Sequence, residues 1–201
     1  MKTEFNSTPP IFLLIGLGNP GREYRDTRHN VGFMFIDRLC AASGIKLSRL
    51  QSKALIGAGQ WQGCKVILAK PQSFMNLSGQ PVSALLRFYK TPLSQMLVAH
   101  DDIDLPVGTL RIRPDGGSGG QRGLASIIQQ LGTQEFPRLR IGVGRPPGQK
   151  EAADYVLKNF SAFDLEIIPQ VLDRAVEAAR VFLADGLDQA MNQYNGSLQK
   201  E

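Results

Sequence analysis

The sequence predicts an α/β fold: a single three-layer domain with a mixed, twisted β-sheet flanked by helices. Three observations lead there. Short apolar runs rich in β-formers alternate with stretches of helical periodicity. Residues 53–61 and 64–69 read as two strands joined by a turn at Gln62-Gly63. No repeat, low-complexity tract or linker interrupts the 201 residues, a length at which one domain buries a substantial core. Residues 1–201 are therefore expected to form one domain, with 1–10 and 196–201 as flexible tails.

The elements follow in order. Residues 11–15 are continuously apolar, as a buried central strand is. A polar, glycine-containing loop runs from Gly18 to Asn30. Val31, Met34, Phe35 and Leu39 make a helical stripe over 31–42, and Gly44 is a suitable stop. After the strand pair, which Pro71 ends, Ser78 is placed to cap a helix reaching Tyr89, with Pro81 in its first turn. Residues 96–100 form a short apolar strand. Residues 108–113 and 138–143 alternate apolar with basic residues, as half-exposed strands do. Between them lies the loop Asp115-Gly116-Gly117-Ser118-Gly119-Gly120, then a helix ending at Gly132. Past Pro146-Pro147-Gly148, the residues Ile168, Leu172, Ala175, Ala179 and Phe182 form one apolar helical face that Asp185-Gly186 ends. Glycine and proline ahead of 149–160 suit a mobile lid.

Composition narrows the function. Lys and Arg number 23 against 18 Asp and Glu, a net charge of +5, which favours polyanionic partners. Arg111, Arg113, Arg122, Arg138, Arg140, Arg145 and Lys150 cluster within one third of the chain. No apolar run has membrane-spanning length, so no membrane partner is expected. Residues 1–10 have no signal-peptide core, so a cytoplasmic location is expected. Cys40 and Cys64, far apart and without a C-x-x-C, read as free thiols in a reducing compartment.

Gly16-Leu17-Gly18-Asn19-Pro20-Gly21 fits the G-x-G-x-x-G spacing of a dinucleotide loop, yet its context contradicts that role. Pro20 removes a backbone donor, 22–30 shows no helical stripe, and Asp37 stands inside a helix rather than at the end of a second strand. Asp115 to Gly120 is not a P-loop, since no Gly-Lys-Ser/Thr follows. The six-residue run is expected to turn the chain sharply so that Asn19 faces a ligand.

Polar residues gather instead after the strands: Asn19 and His29, then Met75 and Asn76, then His100, Asp101, Asp102 and Asp104. Strand carboxyl ends form the ligand crevice of α/β sheets. A histidine whose second nitrogen meets a carboxylate is a suitable general base, and Asp101 is placed to serve His29. The asparagine amides suit peptide groups or an oxyanion. No G-x-S-x-G or Cys-His pairing marks a covalent nucleophile, so the pattern suits water attack on an activated acyl group. The competing chemistry is a metal site from His100, Asp101, Asp102 and Asp104. Strand alternation opposes their convergence.

At this point the sequence resembles a family. Gly16-Leu17-Gly18-Asn19-Pro20-Gly21 with Tyr24, Thr27-Arg28-His29-Asn30 and Gly32 is similar to the first signature of bacterial-type peptidyl-tRNA hydrolases. Lys70-Pro71-Gln72-Ser73-Phe74-Met75-Asn76-Leu77-Ser78-Gly79 resembles the second, and His100-Asp101-Asp102-Ile103-Asp104-Leu105-Pro106 with Gly108 the third. The glycine loop with Gly123-Leu124, and Arg138-Leu139-Arg140-Ile141-Gly142-Val143-Gly144, complete the set in family order.

The resemblance implies hydrolysis of the ester between peptide and tRNA, recycling tRNA from stalled translation. It implies His29 as catalytic base and Asp101 as its paired carboxylate. Asn19, Met75 and Asn76 would hold the peptide part, Tyr24 would stand beside the tRNA terminus, and Arg113 and Arg140 would grip phosphates. It further implies peptidyl-tRNA as partner, a monomer, and neither metal nor organic cofactor.

One departure stands out. The family commonly has His-Asn-Gly after the glycine loop, and this chain has Gln121-Arg122-Gly123. Arg122 cannot accept a hydrogen bond as an amide oxygen does, and reads as a contact to the tRNA end. The alternative function is an RNA binder on the same fold, like plant organellar relatives that act in group II intron splicing. Retention of His29, Asp101, Asn19 and Asn76 argues for the enzyme.

Overall fold

The computed structural model describes residues 10–146, 148 and 151–198. Eight strands form one mixed sheet: β1 (Ile11–Gly16), β2 (Arg49–Gln51), β3 (Ala54–Trp61), β4 (Cys64–Pro71), β5 (Met96–Asp102), β6 (Thr109–Arg113), β7 (Arg138–Gly142) and β8 (Gly196–Ser197). Their order is β2-β3-β4-β1-β5-β7-β6-β8. The centre is parallel, β4-β1-β5-β7, and antiparallel strands close both edges. The helices are α1 (Val31–Ser43), α2 (Gly79–Tyr89), α3 (Arg122–Leu131), α4 (Ala152–Val156), α5 (Ala162–Asp185) and α6 (Leu187–Tyr194). The three-layer α/β reading therefore stands.

The apolar runs divide between two cores because successive strand residues point to opposite faces. Leu13 and Ile15 of β1, with Val98 of β5, pack with Val82 and Leu85 of α2 and Leu124 and Ile127 of α3. Phe12, Leu14, Leu97 and Ala99 face the other way and join Phe35, Ile36 and Leu39 of α1 and the apolar stripe of α5. In β6 and β7 the alternation is apolar against arginine. Leu110, Ile112, Leu139 and Ile141 enter the α5 core, which turns Arg111, Arg113, Arg138 and Arg140 to the opposite face. Cross-strand register sets Arg111 opposite Arg140 and Arg113 opposite Arg138.

Only one of the first glycines turns the chain. Of Gly16, Gly18 and Gly21, only Gly21 has a positive φ, 124°. At Gly16 a Cβ would meet the Gly32 carbonyl oxygen at 1.9 Å. At Gly32 it would meet Leu17 and Ala99 backbone atoms at 2.5 Å. The missing side chains let the start of α1 lie directly on β1 and β5. That contact carries the preceding residues, His29 and Asn30, onto the end of β5. Backbone on both sides cannot yield, so Gly32→Ala should destabilise by about 3 kcal/mol and lower Tm by roughly 10 °C. A wild-type thermal midpoint would refute the close-packing account.

Three further details depart from expectation. Ser78 holds the N-cap position of α2 but its side chain makes no cap bond; its hydroxyl donates to the Met75 carbonyl at 2.8 Å, and a 3-10 turn, Met75–Leu77, leads into the helix. The segment from 196 begins as strand β8 rather than as tail, because the Asn195 amide bonds both the N–H and the carbonyl of Ile112 and delivers the chain to β6. β2 was too short to show periodicity. Residues 1–9 and 199–201 lie outside the described residues. Cys40 and Cys64 are free thiols. Among the described residues no helix is long and apolar enough to cross a membrane.

Candidate active site

A cleft of about 870 Å³ opens at the carboxyl ends of the central strands. Asn19 and His29 reach it from the β1–α1 loop, Met75 and Asn76 from the turn after β4, and Asp101 from β5. Arg113, Arg122 and Arg140 come from β6, the start of α3 and β7. Tyr24 does not line the cleft. It is half-buried on the 3-10 turn Arg22–Tyr24, where its carbonyl accepts from the Thr27 hydroxyl.

At the floor, His29 Nδ1 lies 2.8 Å from Asp101 Oδ2, and both residues are buried. A carboxylate only accepts, so the proton sits on Nδ1 and the Nε2 lone pair is the basic site. Nε2 has no partner among the described residues. The other carboxylate oxygen, Oδ1, accepts from Gln121 Nε2 at 3.1 Å. Gln121 escaped the sequence reading as a site residue. A lone polar side chain between a glycine loop and a helix carries no spacing signal of its own.

Asn19 is held from three sides. Its N–H donates to Asn30 Oδ1 at 2.8 Å, its carbonyl accepts from Asn30 Nδ2 at 3.0 Å, and its Oδ1 accepts from the Met75 N–H at 2.8 Å. With the oxygen occupied, Asn19 offers only its NH₂ group, a donor suited to a carbonyl or an oxyanion. Asn76 beside Met75 is exposed.

The basic cluster separates into distinct roles. Arg113 and Arg122 are exposed and make no ion pair among the described residues. Arg140 pairs with Asp102, and Arg145 pairs with Asp104 at 2.7 Å. Arg138 is not part of a solvated face. It is 2% exposed and donates to the carbonyls of Gly116, Gln134 and Phe136, pinning the glycine loop. Burial pushes its pKa down to about 10, and it remains charged at neutral pH. Lys150 lies outside the described residues.

The metal alternative fails on geometry. Asp101 serves His29 and Gln121, Asp102 serves Arg140, and Asp104 serves Arg145. Among the described residues no three His, Cys, Asp or Glu side chains gather as ligands. His100 is buried with Nδ1 2.8 Å from the Asp101 carbonyl oxygen, and burial pushes its pKa down. It is therefore a neutral imidazole that supports the Asp101 backbone.

Of the segment expected as a lid, 149 and 150 lie outside the described residues and the rest forms α4 and its exit turn. Ala152, Ala153, Val156 and Leu157 form a wall of the cleft. Arg28, next to His29, fastens this wall. Its guanidinium lies 4.3 Å over the Tyr155 ring and bonds Asp164 at 3.0 Å.

Fold and site together have the form of a mixed-sheet α/β enzyme that works at the carboxyl ends of its strands. A family model described as peptidyl-tRNA hydrolase matches residues 13–201. The peptidyl-tRNA hydrolase of Carboxydothermus hydrogenoformans is 48% identical over 185 residues, covering 92% of this chain and 98% of its own. The chloroplastic peptidyl-tRNA hydrolase of Arabidopsis thaliana is 47% identical over 187 residues, and the match spans 91% of this chain and 65% of that longer protein. The crystal structure of peptidyl-tRNA hydrolase from Acinetobacter baumannii superposes with a TM-score of 0.86 at 35% identity, covering 92% of this chain and 96% of that one. The chain belongs to the peptidyl-tRNA hydrolase family.

Proposed function

We propose that this protein hydrolyses the ester joining a peptide to the terminal ribose of tRNA, with His29 as general base. The observation that carries the reading is the His29–Asp101 pair, 2.8 Å apart, with Nε2 left free in the cleft. Nε2 takes a proton from water as its oxygen attacks the ester carbonyl carbon. Asp101 stabilises the imidazolium that forms. Collapse of the tetrahedral intermediate breaks the bond to the ribose oxygen, which leaves with the proton from Nε2. Free tRNA results, with a peptide carboxylic acid that gives up its remaining proton to solvent as the carboxylate.

Asn19 Nδ2 and the Asn76 amide supply donors and acceptors to the peptide backbone. Such contacts ignore side-chain identity, which suits an enzyme that meets many peptides. Arg113 and Arg122, unpaired at the cleft, meet tRNA phosphates, and Arg140 joins them from its pair with Asp102. Tyr24, off the cleft lining, supports the loop ahead of His29 and meets the tRNA only outside the cleft. Every group in this scheme comes from one chain, which suits a monomer needing no cofactor.

The test is release of peptide from a defined peptidyl-tRNA across a salt series. We expect turnover, with kcat/KM falling linearly on a log–log salt plot. Arg113→Ala should flatten that slope by about 0.7–0.9 for the phosphate contact it removes. Tight tRNA binding without peptide release would instead identify an RNA binder on this fold.

A further inference from the structure

We propose that Gln121 is a positioning residue of the catalytic pair, acting through Asp101; this rests on the general-base reading of His29. Gln121 is 8% exposed, and all of its amide is engaged. Its Oε1 accepts the Leu124 N–H at 2.6 Å, which makes Gln121 the N-cap of α3. Its Nε2 donates to Asp101 Oδ1 at 3.1 Å and to Met75 Sδ at 3.2 Å.

These contacts remove the usual two-fold ambiguity of an amide. The Leu124 N–H is a donor, so only the oxygen can face it, and the NH₂ group must face Asp101. The cap therefore selects which end of Gln121 the carboxylate meets. Asp101 in turn has one oxygen on Gln121 and the other on His29, so its plane is fixed from both sides. A carboxylate held by one bond alone rotates, and with it the His29 ring. Gln121 also joins Asp101 to Met75, whose N–H orients the Asn19 amide. One side chain thus sets the base and the peptide-binding amide in a common frame, and it ties both to α3.

The cap and the donor are separable. Gln121→Glu keeps an oxygen for Leu124 N–H but loses the NH₂ group. Gln121→Met keeps length and loses both. The experiment is steady-state hydrolysis of a defined peptidyl-tRNA by both variants, beside His29→Ala and Asp101→Asn, with thermal melts. Gln121→Glu, with no NH₂ group left for Asp101, should lose about 10- to 100-fold in kcat. KM should stay within roughly two-fold, while Tm falls, because the new carboxylate faces Asp101 in a buried site even though the cap is retained. Gln121→Met should show the same loss in kcat at a lower Tm.

Wild-type kcat in either variant, or a loss carried by KM alone, overturns the positioning role. If Gln121→Glu folds poorly, Gln121→Met decides by the same split between kcat and KM. Wild-type turnover in His29→Ala and Asp101→Asn would overturn the general-base reading first, and the role of Gln121 with it. Impaired His29 and Asp101 variants beside an unimpaired Gln121 pair would overturn the inference alone.

Discussion

His29→Ala should lower kcat by about 10²- to 10⁴-fold, the span typical of general acid–base assistance. The geometry explains why nothing else replaces it. His100 is buried and neutral, with Nδ1 committed to a carbonyl. Asp101 has both oxygens committed, one to His29 and the other to Gln121. Affinity for tRNA should change by less than roughly two-fold, because phosphate contacts dominate it and the arginines are untouched. Single-turnover hydrolysis and a binding titration of the same protein separate the two effects. Equal losses in both would mean that His29 holds the RNA rather than activates water.

Asp101→Asn is the second large effect, on the order of 10³- to 10⁴-fold in kcat. Asp101 accepts twice, from His29 Nδ1 and from Gln121 Nε2. Asparagine has one acceptor. If it turns the oxygen to His29, its NH₂ faces the NH₂ of Gln121, which the Leu124 N–H prevents from flipping. If it turns the NH₂ to His29, Nδ1 becomes an acceptor and the proton moves to Nε2, so the imidazole no longer takes a proton from water. The second arrangement satisfies every bond and is expected to prevail. Thermal stability should therefore change little while turnover collapses, and the ring tautomer is directly readable by nitrogen NMR. Substantial turnover with the proton still on Nδ1 would refute this account.

Much of this architecture was legible along the chain. The apolar run of β1, the turn at Gln62-Gly63 and the stripe of α5 each carry a period that one element displays by itself. His29, Asp101, Asn19, Met75 and Asn76 were placed near one another by a general rule, since each follows a strand whose carboxyl end faces the crevice. Gly16 to Gly21 leads into a 3-10 turn, Arg22–Tyr24, rather than into the helix that a dinucleotide loop opens. Of its glycines, Gly21 has the positive φ of a turn, while Gly16 is small so that α1 can touch β1.

The arginines show where such reading stops. Arg113 and Arg138 are alike in sequence, each on a strand that alternates with apolar residues, and they face one another across β6 and β7. Arg113 is exposed at the cleft and Arg138 is sealed against loop carbonyls. Tyr24 sits in a signature motif yet off the cleft lining, and Gln121, outside every expectation, touches Asp101, Met75 and Leu124 at once.

The sequence by itself determined the longer strands and main helices, the faces they bury and the loops that bear chemistry, because periodicity and turn chemistry are local to one element. The tertiary structure decided which arginines stay free, which end of each amide meets the cleft and which groups lose water. Those outcomes depend on partners that other elements bring, and no single stretch of chain contains them.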